Sequence, residues 1–155
     1  MSTILLLMRH GRATGQGPLS PLMPEGEDHV RALGRLLRSE GIAPVQTYAS
    51  PFTRARMTSE IVLSELVDQP KVTHLTELQP DHDPADALFT LRMHGLPDGH
   101  VLVVSHLPLV GLLTGLLTQD DPGFSPGCMA VIELDEERSS GKLLRFIGPS
   151  QVPLG

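Results

Sequence analysis

Two arginines and two histidines stand just after apolar runs, the places from which a sheet presents chemistry. Arg9-His10-Gly11 follows Ile4 to Met8, Ser50-Pro51 with Arg54 one turn on follows Thr47 to Ala49, and Ser105-His106 follows Val101 to Val104. A neutral imidazole can attack phosphorus, and the phosphoramidate so formed stays labile enough to hydrolyse. Planar arginine forks grip the equatorial oxygens of a transferring phosphoryl group in a way a lysine does not. His10 is therefore the candidate nucleophile, with Arg9 and Arg54 as candidate phosphate clamps. His106 is a further donor once protonated, a state that a nearby phosphate dianion favours. Gly11 would let the backbone come close to the phosphate, and Arg12 is expected at the pocket mouth. Arg56 is expected to face solvent.

Taken singly, each of these groups reads as a surface turn or a capped helix start. Ligands of open α/β sheets bind outside the carboxyl ends of parallel strands, so one pocket accounts for all three if the strands are neighbours. The first run is apolar on both faces, as in a central parallel strand covered by helices on each side. Helical spacing follows over Glu25 to Ser39, with Gly41 as the stop, and again from about Phe52 to Leu66. Val72 to Leu75 is a weak edge strand, Pro84 to His94 a helix, Val101 to Val104 a second buried strand, and Leu109 to Leu117 a helix behind Pro108. Met129 to Leu134 and Leu143 to Ile147 make a final strand pair joined through the charged segment Asp135 to Lys142. The alternation predicts an α/β fold, a three-layer sandwich whose mostly parallel central sheet is flanked by helices.

A chain of 155 residues fits one domain, expected over 1–148, with 149–155 as a loose tail. The formal net charge of −6 opposes general nucleic-acid binding without excluding a small cationic pocket. With no Trp and a single Tyr, base stacking is not an expected mode of recognition. No apolar run reaches the roughly 20 residues a membrane span needs, and Arg9-His10 interrupts the only candidate leader. The lone Cys128 has no disulfide partner, which points to a reducing, cytoplasmic setting. Asp81-His82-Asp83 is a tempting ligand cluster, but three adjacent residues do not normally close around one ion, so a solvated loop and no metal or cofactor are expected.

Leu7-Met8-Arg9-His10-Gly11 resembles the Arg-His-Gly signature of the histidine phosphatase superfamily, which has the phosphoglycerate-mutase-like fold. Ser50-Pro51-Phe52-Thr53-Arg54-Ala55, with Thr58 and Glu60, resembles its second signature, and Val104-Ser105-His106-Leu107-Pro108-Leu109-Val110-Gly111 its third. The third stretch, the short chain and Thr76-Glu77-Leu78-Gln79-Pro80 are most similar to small bacterial phosphohistidine phosphatases of the SixA type. The resemblance runs from the first strand to about Leu134. It implies a phosphohistidine intermediate on His10, clamped by Arg9 and Arg54, with His106 as the second pocket histidine.

The resemblance also makes Glu77 the candidate general acid, since larger relatives place a carboxylate near this point. One departure concerns Leu22-Met23-Pro24: family members commonly have a capping Thr where this chain has Met23, and Met cannot cap. Only some sixteen residues separate Pro80 from Pro97, where larger relatives carry a lid. An open pocket is therefore expected, suited to a histidine-phosphorylated protein. A broad small-molecule phosphomonoesterase acting on phosphate esters is the alternative. A mutase, which needs enclosure, and a non-catalytic phosphate-binding module are less favoured. A monomer is expected, and the loop Asp120 to Pro126 is expected to flank the site.

Overall fold

The first strand, β1 (Thr3–Arg9), sends alternate side chains to opposite faces of the sheet, and both faces are buried. Leu5 and Leu7 enter one core, Leu6 and Met8 the other, all with no exposed surface. This double burial fixes the layers. In the computed structural model, which describes residues 2–152, Leu6 and Met8 pack against α1 (Pro24–Ser39) and α2 (Thr53–Ser64). Leu5 and Leu7 share the opposite core with α3 (Pro84–His94) and α4 (Leu109–Thr118). The expected three-layer α/β sandwich is the architecture found.

The remaining strands are β2 (Gln46–Ala49), β3 (Thr73–His74), β4 (Gly99–Ser105), β5 (Met129–Leu134) and β6 (Gly141–Ile147). Their order across the six-stranded sheet is β3-β2-β4-β1-β5-β6. Pairings β3/β2, β2/β4 and β4/β1 are parallel, and β1/β5 and β5/β6 antiparallel. The three strands that end in the candidate residues are therefore adjacent, as expected. Val104 pairs with both Met8 and Ala49, and Ser105 with Arg9, which puts Arg9, Ser50 and Ser105 level at one edge and His10 and His106 together one residue beyond.

Helix α1 starts without a side-chain cap at Met23, as its chemistry dictates, and Pro24, Glu25 and Glu27 in the first turn take over the role of starting it. Asp83 caps α3 by accepting the Asp86 N–H at 3.1 Å. Pro149–Gln151 forms a 3-10 turn and Val152 is buried against the α1/α2 core. That corrects the expected loose tail over 149–152: the apolar Val152 finds a covered site. Residues 153–155 lie outside the described residues. No helix among the described residues is long and apolar enough to cross a membrane.

Candidate active site

His10 is the first residue beyond β1, and the backbone around it is pinned on both sides. Its N–H donates to Ser105 O at 3.0 Å, and its carbonyl accepts the Gly127 N–H at 2.9 Å. The ring is 7% exposed, and Nδ1 lies 2.7 Å from Gly11 O. A carbonyl only accepts, so Nδ1 carries the proton and Nε2 is left with its lone pair. Arg54 Nε donates to that lone pair at 3.2 Å. Burial, and then the charges of Arg54 and Arg9, push the His10 pKa down to about 4 against the opposing bond to Gly11. The ring is thus neutral, oriented and nucleophilic at Nε2.

Arg54 sits in the first turn of α2, 5% exposed, held by Nη1 donating to Gly17 O at 2.7 Å and by its guanidinium lying 5.1 Å from the centre of the Phe52 ring. Arg9 Nη1 donates to Phe124 O at 2.9 Å, while its buried Nε has no partner among the described residues. Among the described residues neither guanidinium has a carboxylate partner. Burial lowers the pKa of both from the usual arginine value, and Arg9 adds its repulsion to Arg54. Two uncompensated positive charges beside a neutral imidazole make a site that favours an oxyanion.

His106 is 1% exposed, with Nε2 2.7 Å from Ser50 Oγ and a buried Nδ1 that has no partner among the described residues. Its ring centre lies 5.0 Å from that of His10 and 5.0 Å from that of Phe52. Burial first, then His10, Arg54 and Arg9, push its pKa down to about 3. The ring is neutral here, and the protonated donor read from the sequence is conditional on a phosphate dianion nearby, which would raise this pKa.

These groups open into a cavity of about 800 Å³ lined by Arg9, His10, Arg54, Phe52, His106 and rim residues. Arg12 lines it as expected, and so does Pro126 from the flanking loop. Arg56 is exposed, also as expected.

Two expected site residues are not on the wall. Gly11 donates its N–H to Thr58 Oγ1 at 3.0 Å and accepts from His10, so its backbone orients the histidine and is not free for phosphate. Its lack of a Cβ serves packing: a Cβ there would stand 2.9 Å from Val30 and 3.1 Å from Gly26 O. Glu77 lies in a 3-10 turn, Thr76–Leu78, where its carboxylate accepts from Thr76 Oγ1 at 3.3 Å. The turn buries Leu78 and ties its carbonyl to Ser105 Oγ at 2.6 Å, so the residues that reach the cavity are Gln79, Pro80, Asp81 and His82. Among the described residues Asp81 is the only carboxylate on the wall. The sequence offered no periodicity that would mark the Gln79 to His82 rim; the signals there were the Thr76 to Pro80 stretch and the Asp81-His82-Asp83 cluster, which read as a solvated loop.

A neutral histidine flanked by unpaired arginines at parallel strand ends defines a phosphate-handling α/β protein. A profile of the histidine phosphatase superfamily (branch 1) matches residues 5–79. The phosphohistidine phosphatase SixA of Escherichia coli (strain K12) is 32% identical over 140 residues, spanning 85% of this chain and 86% of that protein. A structure of the protein histidine phosphatase SixA complexed with tungstate superposes with a TM-score of 0.86 at 30% identity, covering 95% of this chain and 97% of that one. A phosphoglycerate mutase from Bacillus anthracis str. Sterne shares the fold, with a TM-score of 0.74 at 17% identity and 97% of each chain covered. This chain belongs to the histidine phosphatase superfamily and is an enzyme.

Proposed function

We propose that this enzyme hydrolyses phosphohistidine carried on a protein, through a phosphoryl group held transiently on Nε2 of His10. The observation that carries the proposal is the neutral, unprotonated Nε2 of His10, held by Arg54 Nε beside two uncompensated arginines, in a cavity with an open mouth. The lone pair of Nε2 attacks phosphorus as the P–N bond to the substrate imidazole breaks. If the other nitrogen of the substrate ring is protonated, the ring departs as neutral imidazole and no separate acid is required. That removes the need for Glu77, and Asp81 on the rim favours the protonated form of the arriving ring.

On the enzyme, Nδ1–H remains bonded to Gly11 O, so phosphorylated His10 is itself an imidazolium. Attack of water on phosphorus breaks the P–Nε2 bond, both protons of the water leave on the phosphate as dihydrogen phosphate, and His10 is returned neutral with its Nδ1–H in place. Arg9 and Arg54 stabilise the equatorial oxygens in both steps. The likeness to SixA supports a protein substrate, and so does the segment between Pro80 and Pro97, which is occupied by α3 and carries no lid. The chain acts in this reading as one domain, in a reducing, cytoplasmic setting.

The test is phosphate release from a histidine-phosphorylated carrier protein and from a simple aryl phosphate, by the wild-type chain and His10→Ala, without added metal. Rapid His10-dependent release from the carrier supports the proposal. Release from the aryl ester alone overturns it in favour of a small-molecule phosphomonoesterase.

A further inference from the structure

Ser50, the residue after β2, is fully buried and makes two contacts through Oγ: it accepts the Phe52 N–H at 3.2 Å and lies 2.7 Å from His106 Nε2. A hydroxyl has one proton to donate. Among the described residues, the Ser50 hydroxyl has no acceptor other than Nε2 of His106.

Two arrangements of protons are open to this pair. With the proton on Nε2 and donated to Oγ, both the hydroxyl proton and the Nδ1 lone pair are buried without partners. With the hydroxyl donating to a bare Nε2, a single group is unsatisfied, the Nδ1–H. Buried polar groups without partners are costly, so the second arrangement is the stable one.

We propose that Ser50 is a positioning residue that holds neutral His106 in the Nδ1–H tautomer, so that the ring offers the phosphoryl group on His10 an N–H donor and not a lone pair. The proposal rests on the reading in which His10 accepts that group. It removes a difficulty in the site: a histidine surrounded by positive groups cannot readily gain a proton in order to become a donor, and the tautomer supplies the donor without added charge. The Nδ1–H is closed off from water. Phosphoryl entry has to separate Arg54 Nε from His10 Nε2, and the same rearrangement gives the Nδ1–H its acceptor. Phe52, packed edge-on against the His106 ring, limits its rotation.

The experiment reads the tautomer directly, by two-bond proton–nitrogen correlation NMR on the full chain labelled with 15N-histidine, for wild type and Ser50→Ala, alongside kcat on an aryl phosphate. The expected result is the Nδ1–H form of His106 in wild type. In Ser50→Ala the Nε2–H form becomes populated and kcat falls on the order of 10- to 100-fold, as for loss of a partner that orients a working histidine. The Nε2–H form in wild type overturns the proposal, and that measurement needs no variant to fold. It is also overturned if Ser50→Ala keeps the Nδ1–H form, or if the tautomer changes while kcat does not. Spectra of the unreacted protein are independent of whether phosphohistidine is turned over, so failure here is distinct from failure of the functional reading.

Discussion

Arg54 Nε and His10 Nε2 are hydrogen-bonded across 3.2 Å, so the arginine covers the atom that has to attack until a phosphoryl group comes between them. The contact keeps the nucleophile neutral, since a protonated Nε2 could not accept. It also keeps the clamp in place, together with the anchor to Gly17 O. Arg54→Lys keeps the charge but loses both the fork and this two-sided anchoring. Its kcat/KM on aryl phosphate is expected to fall at least about 100-fold, equivalent to about 2.7 kcal/mol of transition-state stabilisation. A loss smaller than tenfold would show that charge alone suffices.

Burial keeps both histidines neutral well below the ordinary imidazole pKa, with His10 near 4 and His106 near 3. Because kcat/KM reports the free enzyme, its acid limb should fall near pH 4 and not near 6.5. A measured limb at 6.5 would contradict the burial of His10.

The same two rings make the folded state acid-sensitive. In the unfolded chain both bind protons as pH falls through about 6.5, whereas the folded chain resists until about 4 and 3. The unfolded state then holds more protons, and stability is lost as pH falls through this window, by up to about 1.4 kcal/mol per pH unit for each ring. Urea unfolding of wild type and His106→Gln between pH 7 and 4.5 should show the shallower slope in the variant.

Glycines at two helical positions should respond in opposite directions to the same change. A Cβ on Gly26 in α1 would sit 2.3 Å from Arg12 O, so Gly26→Ala forces α1 away from the loop carrying Arg12, at a cost of about 2 kcal/mol or more. Nothing lies within 4 Å of a Cβ on Gly115 in α4, and Gly115→Ala should stabilise by about 0.5–1 kcal/mol. Chemical denaturation of the two variants checks both signs.

Glu77 and Asp81 separate the two possible places for a carboxylate. Glu77→Gln should leave both carrier and aryl phosphate rates within about twofold, since its side chain is off the cavity wall. Asp81→Asn should slow release from phosphohistidine about three- to tenfold, with little effect on the aryl ester, whose leaving group carries no ring proton. Equal losses on both substrates would deny Asp81 a part in leaving-group recognition.

The residue types at Arg9, His10, Arg54 and His106, and the double-faced burial of β1 and β4, are local facts, and the sequence alone determined them. Position within each apolar run decides which residue leaves the sheet, and adjacency of three parallel strands is the commonest way to bury such runs. Pro84 to His94 was legible to the residue because Pro at its start and Gly after its end punctuate it. Tertiary structure alone decided which hydrogen bonds those side chains make. Pairing His10 Nδ1 with Gly11 O, Nε2 with Arg54 and His106 with Ser50 depends on the register of β1, β4 and β2, set by contacts between residues far apart in the chain. For the same reason the Gly11 backbone bonds to Thr58 and His10 and its Cα packs against Val30, and the rim is lined by Asp81 and His82, with Glu77 off the wall. The direction in which a short turn aims its side chains is fixed by what anchors it, here Ser105 Oγ on Leu78 O, 27 positions away in sequence.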